Sequence, residues 1–70
     1  MKMDPQTEKL VALAAALAAR CQPCFAYHHK LARELGVDPE LILEAVAVAK
    51  EVRGGADRKM DEFVARQLAE

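Results

Sequence analysis

Apolar residues recur at helical spacing in four stretches of the chain, and nowhere do apolar and polar residues alternate as in a half-buried strand. The first stretch opens on Asp4-Pro5, a capping side chain followed by a proline at the first helical position. It places Leu10, Leu13, Ala14 and Leu17 on one face of a helix over about 5–20. Val11, Ala12, Ala15, Ala16 and Ala19 make that helix apolar on its other faces too, so it is expected to sit inside something.

Pro23 interrupts the pattern, and a second helix is expected from about 24 to Leu35, closed by Gly36 as a left-handed cap. Asp38-Pro39-Glu40 repeats the start signal and opens a third helix with two apolar stripes. Leu41, Ala45, Val48 and Val52 form one stripe, and Ile42, Val46 and Ala49 form the other, which suggests two packing partners. Gly54-Gly55 reads as a stop. A closing amphipathic helix over about 56–69 then carries Met60, Phe63, Val64 and Leu68 on one face, Met60 and Phe63 as packing residues, with Glu62 and Arg66 paired on another face. The expectation is a single all-α domain over residues 1–70 with about four helices.

The chemistry lies between the first two helices, in Cys21-Gln22-Pro23-Cys24-Phe25-Ala26-Tyr27-His28. Cys24 and His28 are four apart, and Cys21 is one turn further back, so the three share a face if the helix extends through them. A helix N-terminus and a nearby imidazolium both favour thiolate, and two thiols at this spacing can close a disulfide that stores two electrons. His28 can also accept the thiol proton and return it to a leaving group. A zinc site would use Cys21, Cys24, His28 and His29, but structural zinc wants four ligands, and no second Cys or His pair exists elsewhere. His29 is one residue off the His28 face and reads as a solvent-facing polar residue, and Tyr27 reads as a core or interface aromatic.

The stretches LVALAAALAARC, CQPCFAYHHK, GVDPELILEAVAVAK and VRGGADRKMDEF together resemble the alkylhydroperoxidase D-like (AhpD-like), or carboxymuconolactone decarboxylase-like, all-α proteins over nearly the whole chain. The resemblance implies a helical fold completed by homo-oligomerisation and a thiol-dependent antioxidant activity that reduces hydroperoxides. It implies Cys24 as the peroxide-attacking thiol, Cys21 as its resolving partner and His28 as the proton relay, with an external dithiol as reductant and no metal or organic cofactor. A lactone decarboxylase gives the dithiol no evident role. One position departs from the family pattern: the glutamate expected twelve residues before the first cysteine is Lys9 here. Lysine there favours thiolate by charge but removes the carboxylate that would hold His28. The alternative to an enzyme is a non-catalytic helical interaction or redox-sensing module.

Composition narrows the setting. Seventy residues make a marginal core, yet 53% are apolar and only 4% aromatic, so Ala, Val and Leu do the packing and self-association is the natural outlet. Ten basic and eleven acidic residues give a net charge of −1, which offers no field for nucleic acid or an acidic membrane. The Met1-Lys2-Met3-Asp4-Pro5 stretch lacks the apolar core and cleavage site of a secretory leader, so none is expected, and the longest apolar run, 10–19, is about half a membrane span. A cytoplasmic location is expected, where two cysteines three apart point to redox chemistry rather than to a structural staple.

Overall fold

The computed structural model describes residues 2–70; Met1, part of the domain expected over 1–70, lies outside the described residues. The chain is all-α, with no strand among the described residues. It forms three helices: α1 (Pro5–Ala18), α2 (Gln22–Glu34) and α3 (Pro39–Leu68).

Both Asp-Pro signals start helices. The Asp4 carboxylate accepts from the Thr7 backbone N–H at 2.9 Å and from the Thr7 hydroxyl at 2.7 Å, and these bonds hold its pKa below the ordinary aspartate value. Asp38 caps α3 by accepting from the Glu40 N–H at 2.9 Å. In each case proline stands in the first turn, where its missing N–H leaves nothing unpaired.

The two short helices end alike. Val37 N–H reaches the Ala32 carbonyl and Gly36 N–H the Arg33 carbonyl, both at 3.0 Å, around Gly36 at φ 74°. At the end of α1, Cys21 N–H reaches the Ala16 carbonyl and Arg20 N–H the Leu17 carbonyl, again at 3.0 Å. This is the same paired cap, but the left-handed residue is Arg20 at φ 59° rather than glycine. The turn that delivers the chain to Cys21 is therefore built on a residue that pays a Cβ penalty.

The fourth expected helix does not exist as a separate element: Gly54-Gly55 lies inside α3, which runs unbroken for 30 residues. A glycine stops a helix when it turns left-handed, and among the described glycines only Gly36 does so. Inside a helix each glycine costs about 1 kcal/mol relative to alanine, which good helix formers on both sides, Lys50-Glu51 and Ala56 among them, can absorb.

α1 is the central element and packs against both α2 and α3, which scarcely touch each other. Leu13, Ala32, Val37 and Ile42 form the buried core, with Leu10, Phe25, Ala45 and Val46 packed against it. Of the two stripes on α3, the one carrying Ile42 and Ala49 is buried, while Leu41, Val48 and Val52 of the other stay exposed. Every residue from 56 to 70 is exposed, so Met60, Phe63, Val64 and Leu68 lie outside the buried core of the described residues. Within this segment the ion pair is Lys59–Glu62 at 3.4 Å, not Glu62 with Arg66. The far half of α3 projects from the bundle and stretches the molecule to 53 × 24 × 19 Å. No helix among the described residues is long and apolar enough to cross a membrane.

Candidate active site

The α1–α2 turn positions the dithiol. Cys21 occupies the N-cap of α2, a place usually held by Ser, Thr, Asp or Asn, and its Sγ accepts from the Cys24 backbone N–H at 3.3 Å. Pro23 sits in the first turn of α2 and does not delay the helix to residue 24, because its fixed φ suits that position. Cys21 and Cys24 are joined in a disulfide, with their Cα atoms 5.3 Å apart. The expectation that Cys24 lies at a helix N-terminus holds, and Cys21 lies nearer still, at the cap itself. Cys21 is partly buried and Cys24 exposed. A cap sulfur facing the open N–H groups of a helix is best placed to carry negative charge when the bond is reduced.

His28 lies one turn beyond Cys24 on α2. It is partly buried, its ring meets the edge of Tyr27 at 5.1 Å, and its Nδ1 is buried without a hydrogen-bond partner. A histidine that shuttles a proton at one nitrogen is ordinarily fixed through the other. Lys9, at the place of the family's glutamate, does not supply that bond; its ammonium lies 3.5 Å from Glu8, and its side chain is only 19% exposed. Lys9 is thus more enclosed than an ordinary surface lysine. Tyr27 is 60% exposed and lies outside the core. His29 is partly buried and stacks on Phe25 at 5.6 Å, rather than standing free in solvent. No cluster of three or more His, Cys, Asp or Glu side chains among the described residues is arranged to ligate a metal.

A cleft of about 490 Å³ opens beside the disulfide where the three helices meet. Leu17, Phe25 and Ala26 give it an apolar lining, Cys21 lines it with them, and Arg20 and Arg53 bring two guanidinium groups. Cys24 and His28 do not line it. Arg20 is engaged at 3.2 Å by Asp57 of α3, whereas Arg53 has no ion pair among the described residues. Sequence spacing pointed to neither arginine. Arg20 adjoins the motif without belonging to it, and Arg53 arrives from a helix whose register over α1 only packing sets.

The chain matches the sequence profile of the carboxymuconolactone decarboxylase family over residues 2–63. A Paracoccus denitrificans protein described as uncharacterized protein 4 in cox locus is 43% identical over 54 residues, covering 77% of this chain and 49% of that protein. The chain thus spans about half the length of this curated relative. No solved structure matches it.

Proposed function

The chain belongs to the carboxymuconolactone decarboxylase family, and on that premise we propose that it is a thiol-dependent antioxidant protein that reduces hydroperoxides through the Cys21–Cys24 pair. The observation that carries this reading is the disulfide at the N-terminus of α2, with one sulfur on the helix cap and one exposed. A reduced pair there has a thiolate to offer and a second thiol within bonding reach.

In the proposed cycle one thiolate attacks the outer peroxide oxygen, the O–O bond breaks, the alcohol leaves, and the sulfur becomes a sulfenic acid. The second thiol condenses with it, releasing water and forming the disulfide. An external dithiol then takes the oxidation and restores both thiols. The family resemblance gives attack to Cys24, resolution to Cys21 and proton relay to His28. No metal or organic cofactor enters the cycle. A reducing compartment, the cytoplasm, suits it.

The active unit is proposed to be a homo-oligomer. Val48, Val52, Met60, Phe63, Val64 and Leu68 are all more than 40% exposed. The radius of gyration is 15.5 Å, where a compact chain of this length would have about 11 Å. Both facts describe a protomer whose apolar surface a second copy would cover. Sedimentation should show more than one chain at micromolar concentration, and a monomer there would remove this part of the proposal.

Mass spectrometry after stoichiometric peroxide, with alkylation, tests the chemistry. The reduced protein should lose two alkylatable thiols within one chain and then consume further peroxide when dithiothreitol is supplied. Disulfide formation without turnover would favour the redox-sensing module instead, a reading that the unpartnered Nδ1 of His28 supports.

A further inference from the structure

The cleft beside the disulfide has a composition that the peroxidase cycle leaves unexplained. Simple hydroperoxides are neutral and need no cation. Yet two arginines line this cleft and no carboxylate does, and apart from Gln22 and Cys21 the remaining lining is apolar. Asp57 occupies Arg20, which leaves Arg53 as a guanidinium without a counter-charge among the described residues. Arginine offers a planar fork of donors matched to a carboxylate, and Leu17, Phe25 and Ala26 offer a hydrocarbon chain the contact that water does not. The volume lies within the range of small-molecule sites.

The sulfur on this cleft is that of Cys21, not Cys24. Cys21 is also the N-cap whose Sγ accepts the Cys24 N–H, so the thiolate favoured by the helix is the one a ligand in the cleft would meet. We propose that this cleft is the substrate pocket, that it selects hydroperoxides carrying a carboxylate on an apolar tail, and that Cys21 is the sulfur that attacks them. This rests on the peroxidase reading and reverses the roles that the family resemblance gives the two cysteines. The carboxylate pairs with Arg53 and the tail lies on Leu17 and Phe25. The Cys21 thiolate takes the outer peroxide oxygen and becomes a sulfenic acid, while the departing alkoxide takes a proton from water at the open mouth. Sulfur is oxidised by two electrons and the peroxide is reduced to an alcohol. The Cys24 thiol then attacks the Cys21 sulfur, and water leaves with the Cys24 proton.

The test compares linoleic acid hydroperoxide with its methyl ester and with tert-butyl hydroperoxide, using dithiothreitol as reductant. The acid should exceed the ester in kcat/KM by about 10-fold, the worth of one charge-assisted hydrogen bond, and Arg53→Gln should bring the ratio near one. With Cys24→Ser, one equivalent of the acid hydroperoxide should leave a sulfenate on Cys21 that dimedone traps. Decanoate titrated into the oxidised protein should shift the amide resonances of Leu17, Phe25 and Ala26, and decanol should do so more weakly. Equal rates for acid and ester, or no sulfenate on Cys21 in the Cys24→Ser variant while Cys21→Ser forms one on Cys24, would overturn the proposal while leaving peroxidase activity in place. If no hydroperoxide is turned over yet decanoate still binds at the cleft, the peroxidase reading fails and the ligand class stands.

Discussion

Arg20 and Asp57 meet at 3.2 Å across the molecule, joining the left-handed residue before the dithiol to the middle of α3. The two side chains are 65% and 60% exposed, so the pair contributes less than about 1 kcal/mol. The backbone of Arg20, by contrast, carries a left-handed penalty of about 1–2 kcal/mol that glycine would not. Arg20→Gly is therefore expected to raise the thermal midpoint despite losing the ion pair, by a few degrees for a domain of this size. Calorimetry at matched protein concentration checks it. A fall in the midpoint would show that the ion pair, not the backbone, decides the stability of this turn.

Gly54 and Gly55 lie in a continuous helix, and a Cβ added at either would meet only the Arg58 guanidinium, at 3.5 and 3.6 Å. That group is the end of a flexible chain and can move aside. Replacing both glycines with alanine should stabilise the protein by about 1–2 kcal/mol in total. Circular dichroism during thermal unfolding is the measurement, and a lower midpoint would mean that α3 must bend here in the assembled protein.

Asp4 gives the acid limb of stability a defined origin. Its folded pKa lies below the unfolded one because Thr7 donates two hydrogen bonds to the charged form. Its contribution is therefore present above the unfolded value of about 3.9 and is lost as pH falls through the folded value. Asparagine caps as well as aspartate but does not titrate. Asp4→Asn should leave neutral-pH stability nearly unchanged and flatten the decline below about pH 4. Urea midpoints measured from pH 6 downward would show it, and parallel curves for the two proteins would count against the assignment.

Much of this fold was legible because capping chemistry is local. Asp4-Pro5 and Asp38-Pro39 mark helix starts, and Gly36 marks a stop, through residues within a turn of each other. The errors have the same source. Arg20 performs the cap that Gly36 performs, but nothing in its side chain announces a left-handed backbone; the paired bonds to Ala16 and Leu17 impose it. Gly54-Gly55 announces a stop that its neighbours override. In the site, the Cys-x-x-Cys spacing foretold the disulfide, whereas the cleft depends on Arg53 of α3 lining the same space as Cys21, a juxtaposition that no sequence interval encodes.

Lys9 and His28 offer a test of how far the family's relay operates here. Lys9 bonds Glu8 and leaves Nδ1 of His28 unpartnered, so His28 is held less firmly than a carboxylate at position 9 would hold it. Lys9→Glu is expected to raise peroxide turnover by about 10-fold or more, the lower part of what general acid–base help supplies. His28→Ala should then cost more in the Lys9→Glu background than in the parent. Equal costs in both backgrounds would show that the two positions are uncoupled and that Lys9 only packs.

A helix of 30 residues on a body 24 Å wide makes this protomer a rod, and rods drag. On a sizing column a lone chain 53 Å long would elute ahead of a sphere of equal mass, at the position of something larger. Elution volume alone would thus overstate the mass of a lone chain. Mass read by light scattering is blind to shape, so the gap between the two measurements is itself a reading of how much of α3 stands free.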